Sequence, residues 1–277
     1  GAFNRGASRD NGGMTNHGLA FALSLFLAAL APALAADPPR VDAVSKGYKL
    51  TFSDEFNGPD LDHSKWIDSY PGGKRTHANN EQEYYAPDGW QVRDGQLVFK
   101  ADKRSMNGKP YTSGMVSSFG KFSQQYGWFE ARMKVPGSQG MWPAFWLLPS
   151  SEKWPPEIDI MELIGREKNK VYLTLHERQP GTWKPKSFGH DYEIDDFTKD
   201  YHTYAVDWMP GEIVWYVDGV ERHRVKDEGV PKEPMYILLN LAVGGDWPRM
   251  PDATTVFPSS MQIDYVRVYQ SPANAAQ

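Results

Sequence analysis

The fold class is decided by the stretch Trp128-Phe129-Glu130-Ala131-Arg132-Met133-Lys134-Val135. After the two aromatic residues, charged and apolar side chains alternate without interruption as far as the closing valine. A period of two places successive side chains on opposite faces of the backbone, which is typical of a β-strand with one face in the core. This stretch therefore predicts a long, half-buried strand.

The same pattern recurs on both sides of this strand. It is present in residues 48–52, 96–100, 202–208, 213–217, 235–243 and 261–269. The dipeptides Asp94-Gly95 and Asp218-Gly219 separate such runs and are typical of two-residue hairpin turns. No long amphipathic helix pattern is visible. We therefore predict an all-β protein, a sandwich of two large antiparallel sheets.

Composition narrows the possible functions. The 277 residues are 40% hydrophobic and 23% charged with a net charge of -5, so nothing suggests the basic surface that nucleic-acid binding requires. The absence of cysteine excludes disulfides, thiol nucleophiles and cysteine zinc sites. No compositional break divides residues 37–277, which we predict to form a single domain and to act as a monomer.

The N-terminal region has the pattern of an export signal. Residues 1–13 are interpreted as a leader or upstream extension, and residues 14–36 as a signal peptide. Residues 19–31 are apolar apart from Ser24, and Ala33-Leu34-Ala35 supplies a small-x-small cleavage pattern. The alternative is a buried hydrophobic helix. We expect a secreted or periplasmic protein with no membrane attachment after signal cleavage.

Three acids stand together in Glu157-Ile158-Asp159-Ile160-Met161-Glu162. On a regular strand Glu157 and Asp159 share a face, whereas Glu162, five positions from Glu157, falls on the core side. A buried, unpaired carboxylate there would be costly. One extra residue in a β-bulge around Ile160-Met161 returns Glu162 to the face of the other two acids. We therefore predict a bulge and an acidic face.

Carboxylates in such proximity raise one another's pKa. Glycoside hydrolysis needs one protonated carboxyl group and one carboxylate across the scissile bond, so the cluster fits that chemistry. A calcium site and a solvated acidic strand are the alternatives. The flanking apolar residues argue against free solvation.

Candidate sugar contacts surround the acidic strand. Trp142 and Trp146 share a face in residues 141–146, and Trp154 precedes the acids. Asn80 and Glu81 lie in a polar segment suited to binding hydroxyl groups, and His176 ends the run 171–175 that we expect to pair with the acidic strand. Core packing of a tryptophan, a solvated loop and a structural histidine are the respective alternatives.

At this point the sequence resembles glycoside hydrolase family 16, the laminarinase and lichenase group. The signature of that family, Glu-Ile-Asp-x-x-Glu, stands at residues 157–162. Further family landmarks match residues 53–58, 80–82, 126–132, 142–146, 215–219, 240–245 and 263–269 in family order. The resemblance therefore extends over residues 48–269.

The resemblance implies a β-jelly-roll sandwich whose concave sheet forms the substrate cleft. It implies that Glu157 is the nucleophile, that Glu162 is the general acid and base, and that Asp159 tunes both. It adds Asn240 to the candidate substrate contacts. No cofactor is implied for catalysis, but a structural Ca²⁺ is expected on the convex side, bound by Glu55, the carbonyl of Gly95, and Asp264.

The leading hypothesis is a retaining endo-hydrolase of β-1,3- or mixed β-1,3/1,4-glucan. The alternatives are a depolymerase of a bacterial, succinoglycan-like exopolysaccharide, a transglycosylase and, less favoured, a non-catalytic sugar-binding sandwich. Loops 68–89 and 177–200 are expected to shape the subsites. Lys184, Lys186 and His190 in the second loop could meet an acidic substituent or remain solvated.

Overall fold

The two layers of the protein are β-sheets of eight and six strands, seen in a computed structural model that describes residues 38–274. The strands are β1 (Lys49–Asp54), β2 (Glu83–Tyr85), β3 (Trp90–Arg93), β4 (Gln96–Ala101), β5 (Tyr111–Ser113), β6 (Met115–Ser117), β7 (Gly127–Lys134), β8 (Met141–Pro149), β9 (Glu157–Glu162), β10 (Lys170–Arg178), β11 (Pro185–Glu193), β12 (His202–Met209), β13 (Glu212–Val217), β14 (Val220–Lys226), β15 (Met235–Val243) and β16 (Ser259–Gln270). Helical structure in this range is limited to the 3-10 turn Pro71–Gly73. The all-β sandwich is confirmed.

All pairings within the two large sheets are antiparallel. The eight-stranded sheet has the order β14-β13-β12-β7-β16-β4-β3, with β1 paired to β16, and the six-stranded sheet has the order β11-β10-β9-β8-β15-β6. A small parallel sheet joins β2 to β5. The acidic strand β9 therefore lies in the interior of the six-stranded sheet, between β8 and β10.

One hydrophobic core fills the space between the two sheets. Residues Phe129, Met133, Phe145, Ile158, Leu173, Trp215 and Leu239 are among its fully buried members. Strand β15 is buried along its whole length, because its other face is covered as well. There Tyr236 and Leu238 pack with Tyr70, Tyr85 and Trp146 in a second cluster. The side of the six-stranded sheet that faces the cleft therefore has its own hydrophobic cluster.

Both predicted hairpin turns are present. Asp94-Gly95 joins β3 to β4 and Asp218-Gly219 joins β13 to β14. All four residues have positive φ, between 52° and 77°. This backbone twist matches that of the adjoining strands, which is why Asp-Gly is favoured there.

The expectation that residues 177–200 form a loop is wrong for 11 of these 24 residues, because residues 177 and 178 end β10 and residues 185–193 form a further strand. Residues Pro185–Glu193, which include Lys186 and His190, form β11 and pair with β10 along nine residues. β11 is the edge strand of the six-stranded sheet, and most of its side chains are exposed. Edge strands lack a strong apolar alternation for this reason, so the sequence pattern did not reveal it.

Residues 1–37 lie outside the described residues, and so do the predictions of a leader and a signal peptide. The described residues 38–274 all belong to one compact unit. Within residues 38–274 we find no helix with the length and apolar character needed to cross a membrane.

Candidate active site

The predicted bulge lies within β9. Asp159 is opposite Trp146 on β8 and Met161 is opposite Phe145, so Ile160 has no partner on that side. On the other side, Asp159 and Glu162 pair with Thr174 and Tyr172, again with a shift in register. Ile160 and Met161 are both buried in the main core. The extra residue therefore returns Glu162 to the cleft and leaves Met161 in the core.

Each glutamate of the trio accepts a hydrogen bond from an indole. Nε1 of Trp142 is 3.0 Å from Oε2 of Glu162, and Nε1 of Trp154 is 2.7 Å from Oε2 of Glu157. Trp142 belongs to β8, whereas Trp154 lies in the connection to β9 and is 51% exposed. The two tryptophans therefore orient the two carboxylates, and both present aromatic surface beside them.

Asp159 is the buried centre of the cluster. Its Oδ2 is 2.9 Å from Nε2 of His176, whose Nδ1 is 2.7 Å from Oγ of Ser187. His176 lies directly opposite Glu157 in the β9–β10 pairing, which confirms the predicted strand neighbour. Asp159 also shares hydrogen bonds with both glutamates.

The surroundings raise the pKa of two carboxyl groups of the trio, those of Asp159 and Glu162. Burial raises the pKa of Asp159 well above its ordinary value, and the charges of Glu157 and Glu162 raise it further. Burial, followed by the charge of Glu157, raises the pKa of Glu162 to about 7, although hydrogen bonds from Asp159 and Trp142 oppose this shift. A large fraction of Glu162 is therefore protonated at neutral pH, as a general acid requires.

A cavity above the trio collects most of the predicted contacts. Its lining residues are Tyr70, His77, Asn79, Glu81, Trp142, Ala144, Trp146, Glu157, Asp159, Glu162 and Asn240. Asn240 accepts a hydrogen bond from Nε1 of Trp146 at 2.7 Å and donates one to the hydroxyl of Tyr85 at 3.0 Å. Trp146 and Asn240 therefore form one fixed wall. Trp154 stands at the rim, in contact with Glu157.

Asn80 is not among the residues that line the cavity, and its role as a substrate contact stays a prediction. The cavity is lined by its neighbour Asn79, whose Nδ2 is 3.3 Å from Oε2 of Glu81, while the exposed Asn80 approaches Asp246 at 3.5 Å. Both asparagines have positive φ, 65° and 58°. Such a turn reverses which side chain faces inward, and asparagine tolerates it better than most residues.

Tyr70 and His77 also line the cavity, and neither was predicted from the sequence. Tyr70 and His77 stack on each other with ring centroids 4.6 Å apart, and Nδ1 of His77 is 3.2 Å from Oε2 of Glu81. These residues lie in an irregular segment whose composition resembles a solvated loop. Only their proximity to Glu81 in the sequence could have suggested them.

Two groups of candidate metal ligands have different outcomes. Glu157, Asp159 and His176 offer ligand atoms that all lie within 4.8 Å of one another, the one such group among residues 38–274. By contrast, Glu55 is ion-paired with Arg267 at 2.8 Å and Asp264 with Arg132 at 2.7 Å. As placed, these two side chains do not fit a cation site. Calcium binding by Glu55, Gly95 and Asp264 stays a prediction without structural support.

A pair of carboxyl groups in one cavity, one of them with a raised pKa, is the arrangement that glycoside hydrolases use. A family model described as "Glycosyl hydrolases family 16" matches residues 78–267. The chain belongs to this family, and the resemblance found in the sequence is confirmed.

Individual relatives agree with the family assignment. An endo-1,3-1,4-beta-glycanase of Rhizobium meliloti (strain 1021) is 36% identical over 246 residues, which are 81% of this chain and 52% of that protein. A beta-glucanase of Rhodothermus marinus is 33% identical over 249 residues, 80% of this chain and 85% of that protein. The laminarinase catalytic domain of Thermotoga maritima MSB8 superposes with a TM-score of 0.73 at 36% identity, covering 80% of this chain and 98% of that one. This chain spans about half the length of the Rhizobium protein.

Proposed function

We propose that this protein is a retaining endo-hydrolase of β-1,3- or mixed β-1,3/1,4-glucan. The observation that carries the proposal is the placement of Glu157 and Glu162 on one face of the cleft, with a pKa of about 7 for Glu162. The names of the Rhizobium, Rhodothermus and Thermotoga relatives support a β-glucan substrate and endo action.

In the first step, the carboxylate of Glu157 attacks the anomeric carbon and the bond to the leaving sugar breaks. Glu162 gives its proton to the departing oxygen, so that no alkoxide forms. In the second step, Glu162 removes a proton from water, and the water oxygen displaces Glu157 from the anomeric carbon. Two displacements at one carbon restore its original configuration.

Asp159 and the indoles prepare this exchange. The hydrogen bond from Trp154 orients Glu157, while Trp142 orients Glu162. Asp159 hydrogen-bonds with both glutamates, so it can adjust these bonds as negative charge passes from Glu157 to Glu162. These contacts exist before substrate binds, so little reorganisation is needed during the reaction.

Chemical rescue by azide tests the two roles separately. With an activated aryl β-glucoside oligomer, Glu157→Ala plus azide is expected to yield the α-glycosyl azide, because azide enters from the vacated side. Glu162→Ala plus azide should yield the β-glycosyl azide, because azide then attacks the intermediate formed on Glu157. A folded Glu157→Ala variant that hydrolyses laminarin or lichenan at the parental rate would disprove the proposal, as would NMR evidence of inversion in the parental products.

Product analysis tests the substrate. Laminarin, lichenan and an acidic bacterial exopolysaccharide are incubated with the protein, and new reducing ends are measured. Early release of a range of oligosaccharides from laminarin or lichenan supports endo-hydrolysis of β-glucan. Cleavage of the exopolysaccharide alone would replace the β-glucan assignment, and formation of longer chains would indicate transglycosylation.

We also propose that the protein is exported and acts as a monomer. The apolar run at residues 19–31 and the pattern Ala33-Leu34-Ala35 support export. N-terminal sequencing of protein recovered outside the cytoplasm is expected to begin at Asp37. Recovery of the intact N-terminus in the cytoplasm would contradict export.

A further inference from the structure

One hydrogen bond connects the eight-stranded sheet to the backbone of the acidic strand. Nε1 of Trp215, on β13, lies 2.9 Å from the carbonyl oxygen of Asp159 and donates to it across the core. Trp215 is 0% exposed. Among the hydrogen bonds of residues 38–274, no other side chain of the eight-stranded sheet reaches β9.

This hydrogen bond lies at the bulge of β9. Asp159 immediately precedes Ile160, the residue without a partner on β8. A bulge interrupts the regular pairing of backbone groups, and here the carbonyl of Asp159 accepts a hydrogen bond from a side chain of the opposite sheet. Removing that donor takes one hydrogen bond away from a carbonyl that the core shields from water, which favours a backbone rearrangement at this point.

The bulge in turn determines where Glu162 points. A strand that slips by one residue sends each following side chain to the opposite face. Glu162 comes two residues after Ile160, so its direction depends on the bulge being kept. Asp159, whose carbonyl is held, is also the residue that hydrogen-bonds with Glu157 and Glu162.

We infer that Trp215 is a positioning residue for the catalytic strand: its N–H holds the carbonyl of Asp159, keeps the bulge at Ile160, and thereby directs Glu162 into the cleft. This inference rests on the proposed function for its kinetic test. The side chain does not reach the cleft itself, since it is enclosed in the core, where its ring also packs against His223 at 4.7 Å.

A second tryptophan provides a matched control. Trp208, on β12, is also fully buried, and its Nε1 donates to a backbone carbonyl, that of Pro231, at 3.0 Å. Pro231 lies outside β9. Trp208→Phe and Trp215→Phe therefore remove the same N–H and the same ring volume from the core, and only the second removes a hydrogen bond to the catalytic strand.

The experiment compares both variants with the parental protein by kcat, KM and thermal unfolding. We expect Trp215→Phe to lower kcat by roughly 10- to 100-fold, because a small misplacement of a catalytic group has effects of this order. Its KM should stay near the parental value, because the cavity lining is intact. Trp208→Phe should reduce thermal stability to a similar extent while kcat stays near the parental value.

A readout independent of turnover is the titration of Glu162, followed by NMR of ¹³C-carboxyl-labelled glutamate. Glu162→Gln and Glu177→Gln assign the signals that titrate near neutral pH. The other ionisable groups near Glu162 are Glu157, Asp159, His176, Glu81 and His77, and His223 lies beside Trp215. We expect the Glu162 midpoint to move in Trp215→Phe and to stay unchanged in Trp208→Phe.

Should Trp215→Phe fail to fold, benzothienylalanine introduced at position 215 deletes the N–H while nearly preserving the ring shape. Equal kcat values and equal Glu162 titrations for the variants at positions 215 and 208 would overturn the inference. If the parental protein cleaved none of the glycans, the proposed function would fail, and the titration would still decide the role of Trp215.

Discussion

Trp142 lies beside Glu162 with its Nε1 3.0 Å from Oε2 of that carboxyl group. Burial and the charge of Glu157 raise the pKa of Glu162, and hydrogen bonds, first from Asp159 and then from Trp142, limit the increase to about 7. A residue expected only as a surface for sugar stacking thus also adjusts the general acid.

Trp142→Phe is expected to extend activity toward higher pH. The substitution keeps an aromatic ring but removes the donor that favours ionised Glu162, so the pKa of Glu162 rises. Because the general acid must be protonated, the basic limb of the kcat/KM profile should move to higher pH, whatever the change in maximum activity. Trp247→Phe is the control, since Trp247 packs against Trp142 with ring centroids 5.6 Å apart and has no bond to Glu162. A basic limb at unchanged or lower pH in Trp142→Phe would contradict the assignment.

Trp154→Phe is expected to lower kcat without loss of stability. Trp154 is 51% exposed, and its one hydrogen bond orients Glu157. Loss of that orientation should reduce kcat by about 10-fold, while the thermal midpoint stays near the parental value. Trp183→Phe is a matched control, because Trp183 is 81% exposed and stacks on Arg178 instead of a catalytic acid. Equal kcat values for the two variants would show that the contact with Glu157 has no role.

The sequence predicted those features that depend on local periodicity. Alternation identified the strands, Asp-Gly pairs identified two hairpins, and the five-residue step from Glu157 to Glu162 identified the bulge. Each follows from a backbone geometry with a short repeat, so a few residues suffice to reveal it.

Features that depend on distant segments were not predictable in the same way. Tyr70 and His77 reach the cavity because an irregular loop folds over β15, and Trp215 reaches Asp159 from the opposite sheet. Asn79 lines the cavity at a turn where two consecutive residues, Asn79 and Asn80, adopt positive φ. No periodic pattern encodes these contacts, since they arise from the packing of the two sheets and their loops.

Glu177→Gln is expected to stabilise the protein at alkaline pH. Glu177 is buried, its neighbour Asp227 carries a like charge, and burial first and Asp227 second raise its pKa to about 7 from the ordinary 4.5. The native state therefore holds this proton more tightly than the unfolded state. Its contribution to stability is complete below pH 4.5 and is lost as pH rises through about 7.

Thermal unfolding from about pH 5 to pH 8 measures this effect. The advantage of Glu177→Gln over the parental protein should grow across the range, up to about 3 kcal/mol. Glu228→Gln is the control, since Glu228 is exposed in the same region of the surface. A constant difference between Glu177→Gln and the parental protein at all pH values would contradict ionisation of a buried Glu177.

Zinc ions are expected to inhibit the enzyme through the catalytic acids. Two carboxylates and an imidazole, from Glu157, Asp159 and His176, offer ligand atoms within 4.8 Å of one another, and zinc accepts this combination of oxygen and nitrogen ligands. A bound ion would neutralise the nucleophile and prevent its attack. Mg²⁺ should inhibit far less, because it prefers oxygen ligands in an octahedral arrangement.

The measurement is the zinc concentration that halves the rate, determined for the parental protein and for His176→Ala. Each rate is expressed relative to that protein's own rate without zinc. His176→Ala should require more zinc because it removes the nitrogen ligand. Ser187→Ala is the control: it removes only the hydroxyl that is hydrogen-bonded to Nδ1 of His176, so it should change the zinc concentration less. Equal sensitivity of the parental protein and His176→Ala would place the inhibitory ion elsewhere.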